Sequence, residues 1–249
     1  MGILNLTPDS FYDGEKKITS SFLKNKLKTF LYSDIIDVGA ESSRPFSEPV
    51  SVKEEIKRLS LFIKVKNDTD KILSIDSYKY DVIKYALDNG FNIINDISGG
   101  GEQNCNIALA AEYNVPIVIM HMQGTPKTMQ VQPQYENLID DILCFFENKI
   151  KIMKDEFNLS DNQIIIDPGI GFGKTKEDNY FIIDNISSFK QFGFPVLIGL
   201  SRKSFLAKGN DMPKDRKVAS LAMQLIAVSN GADCIRTHDI QETYDSFKK

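Results

Sequence analysis

Ile164-Ile165-Ile166-Asp167-Pro168-Gly169-Ile170-Gly171-Phe172-Gly173-Lys174 sets a run of isoleucines directly before a carboxylate and a glycine-rich turn. A β-branched run too short for a helix reads as a strand covered on both faces, and the Pro-Gly step that follows ends it. The same order recurs along the chain. Short β-rich runs stand at residues 3–6, 35–38, 72–75, 92–95, 117–120, 164–166, 196–198 and 234–236. Between them apolar residues fall at helical spacing, as in Phe22, Leu23, Leu27, Phe30 and Leu31, or Leu138, Ile142, Phe145, Phe146, Ile150 and Met153. Eight such units in 249 residues predict an α/β protein of the (β/α)8 TIM-barrel type, which typically takes about 250 residues. A doubly wound open sheet is the structural alternative.

No Pro/Gly/Ser-rich linker divides the chain, so the pattern predicts a single barrel domain over residues 1–249. The first strand stands at the very start and only residues 239–249 follow the eighth. Both features predict a domain whose N-terminus is truncated or which was cut from a longer chain.

Composition narrows the function classes. With 42% hydrophobic and 26% charged residues, and Gly 15 with Pro 9, the makeup is that of a folded globular protein rather than a disordered or repetitive polymer. A net charge of −4 offers no broad cationic surface for nucleic acid or an acidic membrane. Cys105, Cys144 and Cys234 are odd in number and far apart, which suits neither a disulfide framework nor a zinc knuckle and predicts a reducing, cytoplasmic setting. No apolar run approaches the ~18 residues of a membrane span, and no signal-peptide pattern opens the chain.

Barrel enzymes work from the carboxyl ends of their strands. Polar residues collect at each of those ends: Asn5, Thr7 and Asp9; Glu41, Ser42, Ser43 and Arg44; Asp76 and Ser77; Asn95 and Asp96; His121, Met122 and Gln123; Asp167 through Lys174; Ser201 through Ser204; Arg236, Thr237, His238 and Asp239. Any single Asp, Asn, Ser or Gly there is explained as well by turn and cap preferences. Their recurrence at every unit predicts one polar pocket.

Several familiar motifs fail. The Gly169 to Thr175 run lacks the spacing of a phosphate-binding P-loop, His121 and His238 have no zinc-hydrolase partner, and Ser201 and Ser204 lack the Gly-x-Ser-x-Gly elbow. The rim instead mixes Asp76, Asp96 and Asp167 with Arg44, Lys203 and Arg236. A buried carboxylate such as Asp167 calls for charge-assisted hydrogen bonds, as from the N–H-rich edge of a heterocyclic amidine. The arginines, with Ser43, Asn5 and His238, suit an oxygen-rich anion such as a phosphate or diphosphate.

Read in order, Gly2-Ile3-Leu4-Asn5-Leu6-Thr7-Pro8-Asp9-Ser10-Phe11, Asp37-Val38-Gly39-Ala40-Glu41-Ser42-Ser43-Arg44-Pro45, Ser74-Ile75-Asp76-Ser77, Ile94-Asn95-Asp96, the Asp167 to Lys174 run, Ser201-Arg202-Lys203-Ser204 and Arg236-Thr237-His238-Asp239 resemble the dihydropteroate synthase family over nearly the whole chain. Each motif alone is weak, whereas the ordered set is specific. The resemblance implies a transferase of folate biosynthesis that joins 6-hydroxymethyl-7,8-dihydropterin diphosphate to p-aminobenzoate with Mg2+ assisting. It implies that Asp76, Asn95, Met122, Asp167 and Lys203 hold the pterin, with Asp167 on its amino-pyrimidine edge and Lys203 on its carbonyl side. Asn5, Ser43, Arg44, Arg236 and His238 are implied for the diphosphate, Asn5 also meeting the metal. Phe11, Asp13, Pro45, Phe172 and Ser204 are implied for the p-aminobenzoate pocket and its loops, where sulfonamides compete, and Asp76, Asp167, Lys203 and Arg236 for catalysis. A homodimer packed through the late barrel helices is implied as well.

The chemistry of such a reaction agrees with the missing nucleophile motifs, because an aromatic amine is neutral at pH 7 and already nucleophilic. Departure of diphosphate is the hard step, and cations in a water-excluding pocket favour it. Ala40, Ser43 and Phe46 stand where the family more often has Gly, Thr and Gly. The competing readings are a pterin-binding methyltransferase domain, a non-catalytic pterin-binding module and a Schiff-base aldolase built on Lys203.

Overall fold

A computed structural model describes residues 1–7, 18–42, 49–125, 128–129, 131–209 and 211–248. Of the expected site residues, Phe11, Asp13, Ser43, Arg44 and Pro45 lie outside the described residues. Strand and helix alternate in the order β1 (Gly2–Asn5), α1 (Ser20–Leu27), β2 (Ile35–Gly39), α2 (Val52–Ile63), β3 (Ile72–Asp76), α3 (Tyr80–Asp88), β4 (Ile93–Asp96), α4 (Cys105–Tyr113), β5 (Ile117–Met120), α5 (Leu138–Asp155), β6 (Ile164–Asp167), α6 (Lys176–Asp184), β7 (Leu197–Gly199), α7 (Lys217–Ser229), β8 (Cys234–Arg236) and α8 (Ile240–Phe247). Every strand lies within one residue of the run that predicts it.

Strands β1 to β6 pair in parallel in sequence order, and β7 pairs with β8. Two bridges join these pieces into a ring. Ile166 meets Val196, with the Ile166 N–H donating to Pro195 O at 3.0 Å. Gly2 meets Thr237, and the Ile3 N–H donates to Thr237 O at 2.9 Å. The sheet therefore closes as a barrel with helices around it, and the open-sheet alternative falls.

Residues two apart on a strand face the same side, so each strand sends one set of side chains to the helices and the other into the lumen. Ile36, Val38, Ile75, Ile94, Ile119, Ile166 and Ile198 belong to the large core under the helices. A smaller cluster of Ile93, Val118 and Leu197, with Ile35, Ile165 and Cys234 packed against it, plugs the lumen floor. Two residues further along these strands stand Asn95, Met120, Gly199, Asp37, Asp167 and Arg236. The lumen thus changes from apolar to polar within one repeat, which sets the functional end.

The helices are fixed by ordinary end chemistry. Ser51 caps α2 by accepting the Glu54 N–H at 3.3 Å, and Thr175 with Asp178 forms a capping box on α6. The α5 stripe holds, with Leu138, Ile142, Phe146 and Met153 buried. The α1 stripe holds only to Phe30. From Lys28 the chain winds as a 3-10 turn, whose tighter pitch turns Leu31 outward to 65% exposure. Among the described residues no helix is long and apolar enough to cross a membrane.

Candidate active site

A single guanidinium ties three strands together over the lumen floor. Arg236, the last residue of β8, donates from Nε to Asp37 Oδ2 at 2.6 Å and from Nη2 to Asp76 Oδ2 at 2.6 Å. The same Asp37 oxygen accepts the Asn95 side-chain N–H at 2.9 Å. Burial opposes the charge of Arg236, but the Asp37 and Asp76 carboxylates more than offset it and hold the guanidinium ionised. Burial pushes Asp76 up to about 6, with Arg236 acting against the rise. Asn5 joins the group across Gly39, since a Cβ on that glycine would stand 3.1 Å from Asp76 Oδ2 and 3.5 Å from Asn5 Oδ1.

Opposite lies Asp167, buried at the end of β6, with Oδ1 accepting the Gly169 N–H at 2.7 Å. Burial raises its pKa, while the charges of Lys203, Lys174 and Arg236 oppose the rise. Lys203 bends over the Phe172 ring with Nζ 4.3 Å from the centroid and donates to Ile170 O. Burial pulls it down to about 8, and Asp167 is the chief charge resisting that fall. Phe172 itself sits on the turn that Gly169, Gly171 and Gly173 form at positive φ. Met122 is half-buried beyond the end of β5, and Ser204 is exposed beside Lys203. His238 is exposed after β8, where the Ser201 hydroxyl receives its backbone N–H at 3.1 Å and lies 3.0 Å from its Nδ1. The predicted residues that the structure describes therefore meet at one end of the barrel.

Asp96 is the exception among the rim carboxylates. As the neighbour of inward-facing Asn95 it points the other way, and it accepts from Ser98 N at 2.7 Å, Gly100 N at 2.9 Å and Asn106 Nδ2 at 3.1 Å. It braces the turn after β4 and takes no part in the mouth. Arg202 is likewise occupied, donating to both carboxylate oxygens of Asp239 at 3.1 and 2.5 Å. Ala40 is buried at an ordinary negative φ, so its methyl fits where a glycine is usual.

Three supporting groups had no assigned role in the sequence. Asp37 is one. Lys174 is the second: 2% exposed, it meets His121 Nδ1 at 3.1 Å, Phe172 O at 3.0 Å and His121 O at 3.4 Å, stitching the ends of β5 and β6. Burial, then the Lys174 charge, drives His121 down to about 3, so the imidazole is neutral and accepts at Nδ1. The third is Lys79, which donates to Glu41 Oε2 at 2.9 Å, to Glu55 Oε1 at 2.5 Å and to Val50 O, while Glu41 Oε1 accepts the Val50 N–H at 2.7 Å. Glu55 is wholly buried, so the variant Lys79→Met would strand a carboxylate. The expected loss is ~3–5 kcal/mol of unfolding free energy at pH 7, read by urea titration.

The chain closes as an α/β barrel with carboxylates facing cations across a polar mouth, and the family model described as "Pterin binding enzyme" matches residues 1–238, which places it in the pterin-binding class of enzymes. A dihydropteroate synthase of Clostridium beijerinckii is 41% identical over 100% of this chain and 91% of its own, and one from Synechocystis sp. 39% identical over 97% and 85%. The Yersinia pestis dihydropteroate synthase, solved with a sulfonamide drug, superposes with a TM-score of 0.91 at 36% identity, covering 98% of this chain and 90% of that one. The Xanthomonas albilineans enzyme, solved with 4-aminobenzoic acid, gives 0.89 at 32% identity, covering 98% and 89%. The chain belongs to the dihydropteroate synthase family.

Proposed function

We propose that this protein condenses 6-hydroxymethyl-7,8-dihydropterin diphosphate with p-aminobenzoate, giving 7,8-dihydropteroate and diphosphate for folate synthesis. The carrying observation is the facing of Asp167 and Lys203 against the Arg236–Asp76 pair within one lumen mouth. Asp167 accepts the N–H edge of the aminopyrimidine ring and Lys203 donates to its carbonyl side, with Asn95 and Met122 completing the pterin pocket. Arg236, His238 and Asn5 receive the diphosphate together with Ser43 and Arg44. Phe172 and Ser204 border the p-aminobenzoate pocket, for which the family resemblance also implies Phe11, Asp13 and Pro45, and a sulfonamide competes there.

The donor set suits Mg2+. This ion keeps several waters and takes much of its coordination from substrate phosphates, so the Asn5 amide oxygen would add one protein ligand to a metal carried in by the diphosphate. When bound, the ion neutralises charge gathering on the departing diphosphate. The chain's own residues do the rest. The methylene C–O bond breaks with its electron pair leaving on diphosphate, and Arg236 meets that charge. The electron-rich pterin spreads the positive charge left behind, and Asp76, ionised above about 6, stabilises it from the lumen side. The amine nitrogen then forms the C–N bond and sheds a proton. Pterin held by Asp167 and Lys203 is already oriented, which is the part of the barrier that positioning removes.

A cytoplasmic location is supported by Cys105, Cys144 and Cys234, all unpaired. Homodimer formation is supported by apolar side chains left exposed on α7, namely Val218, Leu225, Ile226 and Val228. The test of the activity is diphosphate release from the dihydropterin diphosphate with Mg2+ present. Release that rises with p-aminobenzoate and yields dihydropteroate is expected, and release indifferent to the amine sinks the proposal.

A further inference from the structure

Asp37 has an odd environment for a carboxylate. It stands in the middle of β2, is 0% exposed, and looks into the lumen between the apolar floor and the polar mouth. Its Oδ2 takes two donors, Asn95 Nδ2 at 2.9 Å and Arg236 Nε at 2.6 Å. Its Oδ1 has no partner among the described residues, nor has the buried hydroxyl of Ser74, its register neighbour on β3. An incompletely bonded buried carboxylate is costly to the fold. Such local violations gather where a site demands them.

The geometry points to Asp37 as the positioning residue of the reaction, one buried oxygen that aims Arg236 and Asn95 together at the two halves of the dihydropterin diphosphate. A guanidinium has five N–H groups. With Nε spent on Asp37 and one Nη2 proton on Asp76, its plane is fixed from two sides and its Nη1 hydrogens are not used by either carboxylate. Asn95, pinned by its Nδ2, keeps its amide oxygen in a single orientation. Because both bonds end on the same atom, any shift of Asp37 moves the diphosphate ligand and the pterin ligand at once. The inference rests on the proposed activity.

The test uses D37N, which keeps volume and one acceptor but removes the charge, and D37A, alone and combined with N95A and R236Q. With charge-assisted bonds of ~1.5–3 kcal/mol at stake, D37A is expected to raise KM for the pterin diphosphate at least about tenfold. The KM for p-aminobenzoate stays within about twofold, and D37N falls between wild type and D37A. A residue that merely supported the fold would lower the active fraction, and so kcat, without this one-substrate split. In the double variants the Asp37 effect shrinks severalfold, because its target is already gone. Additive losses, an unchanged KM, or failure of both single variants to fold cooperatively would each overturn the inference. The wild-type assay separates the two ideas: normal turnover with additive cycles sinks only the role of Asp37, whereas absent wild-type turnover sinks the activity and this role with it.

Discussion

Asp167→Asn should cost at least about 100-fold in affinity for the pterin while leaving the protein folded. On the proposed activity, both oxygens of Asp167 serve the pterin edge, and each charge-assisted bond is worth ~1.5–3 kcal/mol. The asparagine has the same shape and retains an acceptor for the Gly169 N–H, now at 2.7 Å from Oδ1. It replaces the other oxygen with an amide that turns its own N–H groups against those of the ligand. Burial raises the folded-state pKa of Asp167, so the native protein holds its proton more tightly than the unfolded chain does. The ionised form therefore weakens the fold, by an amount that grows as pH rises from the ordinary carboxylate range through the raised folded value. At pH 7 that penalty is present, and the neutral asparagine removes it. Calorimetry with the dihydropterin should show binding lost, and thermal unfolding at pH 7 should show a Tm no lower than that of the parent. Retained pterin affinity would refute the assigned role.

Much of this site was legible because barrel strands obey two simple periods. Apolar runs of strand length marked the eight β elements to within a residue, and whatever followed them had to stand at the mouth. What escaped was pairing across the ring. Asp37 meets Asn95 and Arg236 from 58 and 199 positions away, and Lys79 meets Glu55 and Glu41 from 24 and 38. No local pattern encodes such partners. Asp37 did leave a trace, as a carboxylate inside the apolar run Ile35-Ile36-Asp37-Val38, two residues after a lumen-facing isoleucine. The same alternation separates Asn95 from Asp96: adjacent residues of one strand cannot both face the lumen, so the period of two already admits only one of them to the mouth. Lys174 differs again. Its neighbours read as a broken P-loop, yet the lysine points back into the protein and works on backbone carbonyls and His121.

Gly169→Ala should abolish turnover by breaking that stitched region from the backbone side. Gly169 has φ +74°, and a Cβ there would stand 1.9 Å from the carbonyl oxygen of His121. No real Cβ tolerates that distance, and the obstacle is main chain at the end of β5, which cannot rotate aside as a side chain can. The turn must move away. With it would go the Gly169 N–H that bonds Asp167, the Phe172 ring under Lys203, and the Phe172 carbonyl on which Lys174 rests. The left-handed conformation alone costs an L-residue ~1–3 kcal/mol. Gly193→Ala is the matched control, since Gly193 has nearly the same φ, +76°, with nothing within 4 Å of the added methyl. Both variants therefore carry the conformational penalty, and only one carries the collision. A drop of more than about 100-fold in kcat/KM is expected for Gly169→Ala, where each ~1.4 kcal/mol of lost transition-state stabilisation is tenfold. Gly193→Ala should stay within about threefold of the parent after correction for the folded fraction. If the two variants lose activity equally, the contact with His121 is not what holds the turn, and the carboxylate of Asp167 must be set by something other than the Gly169 backbone.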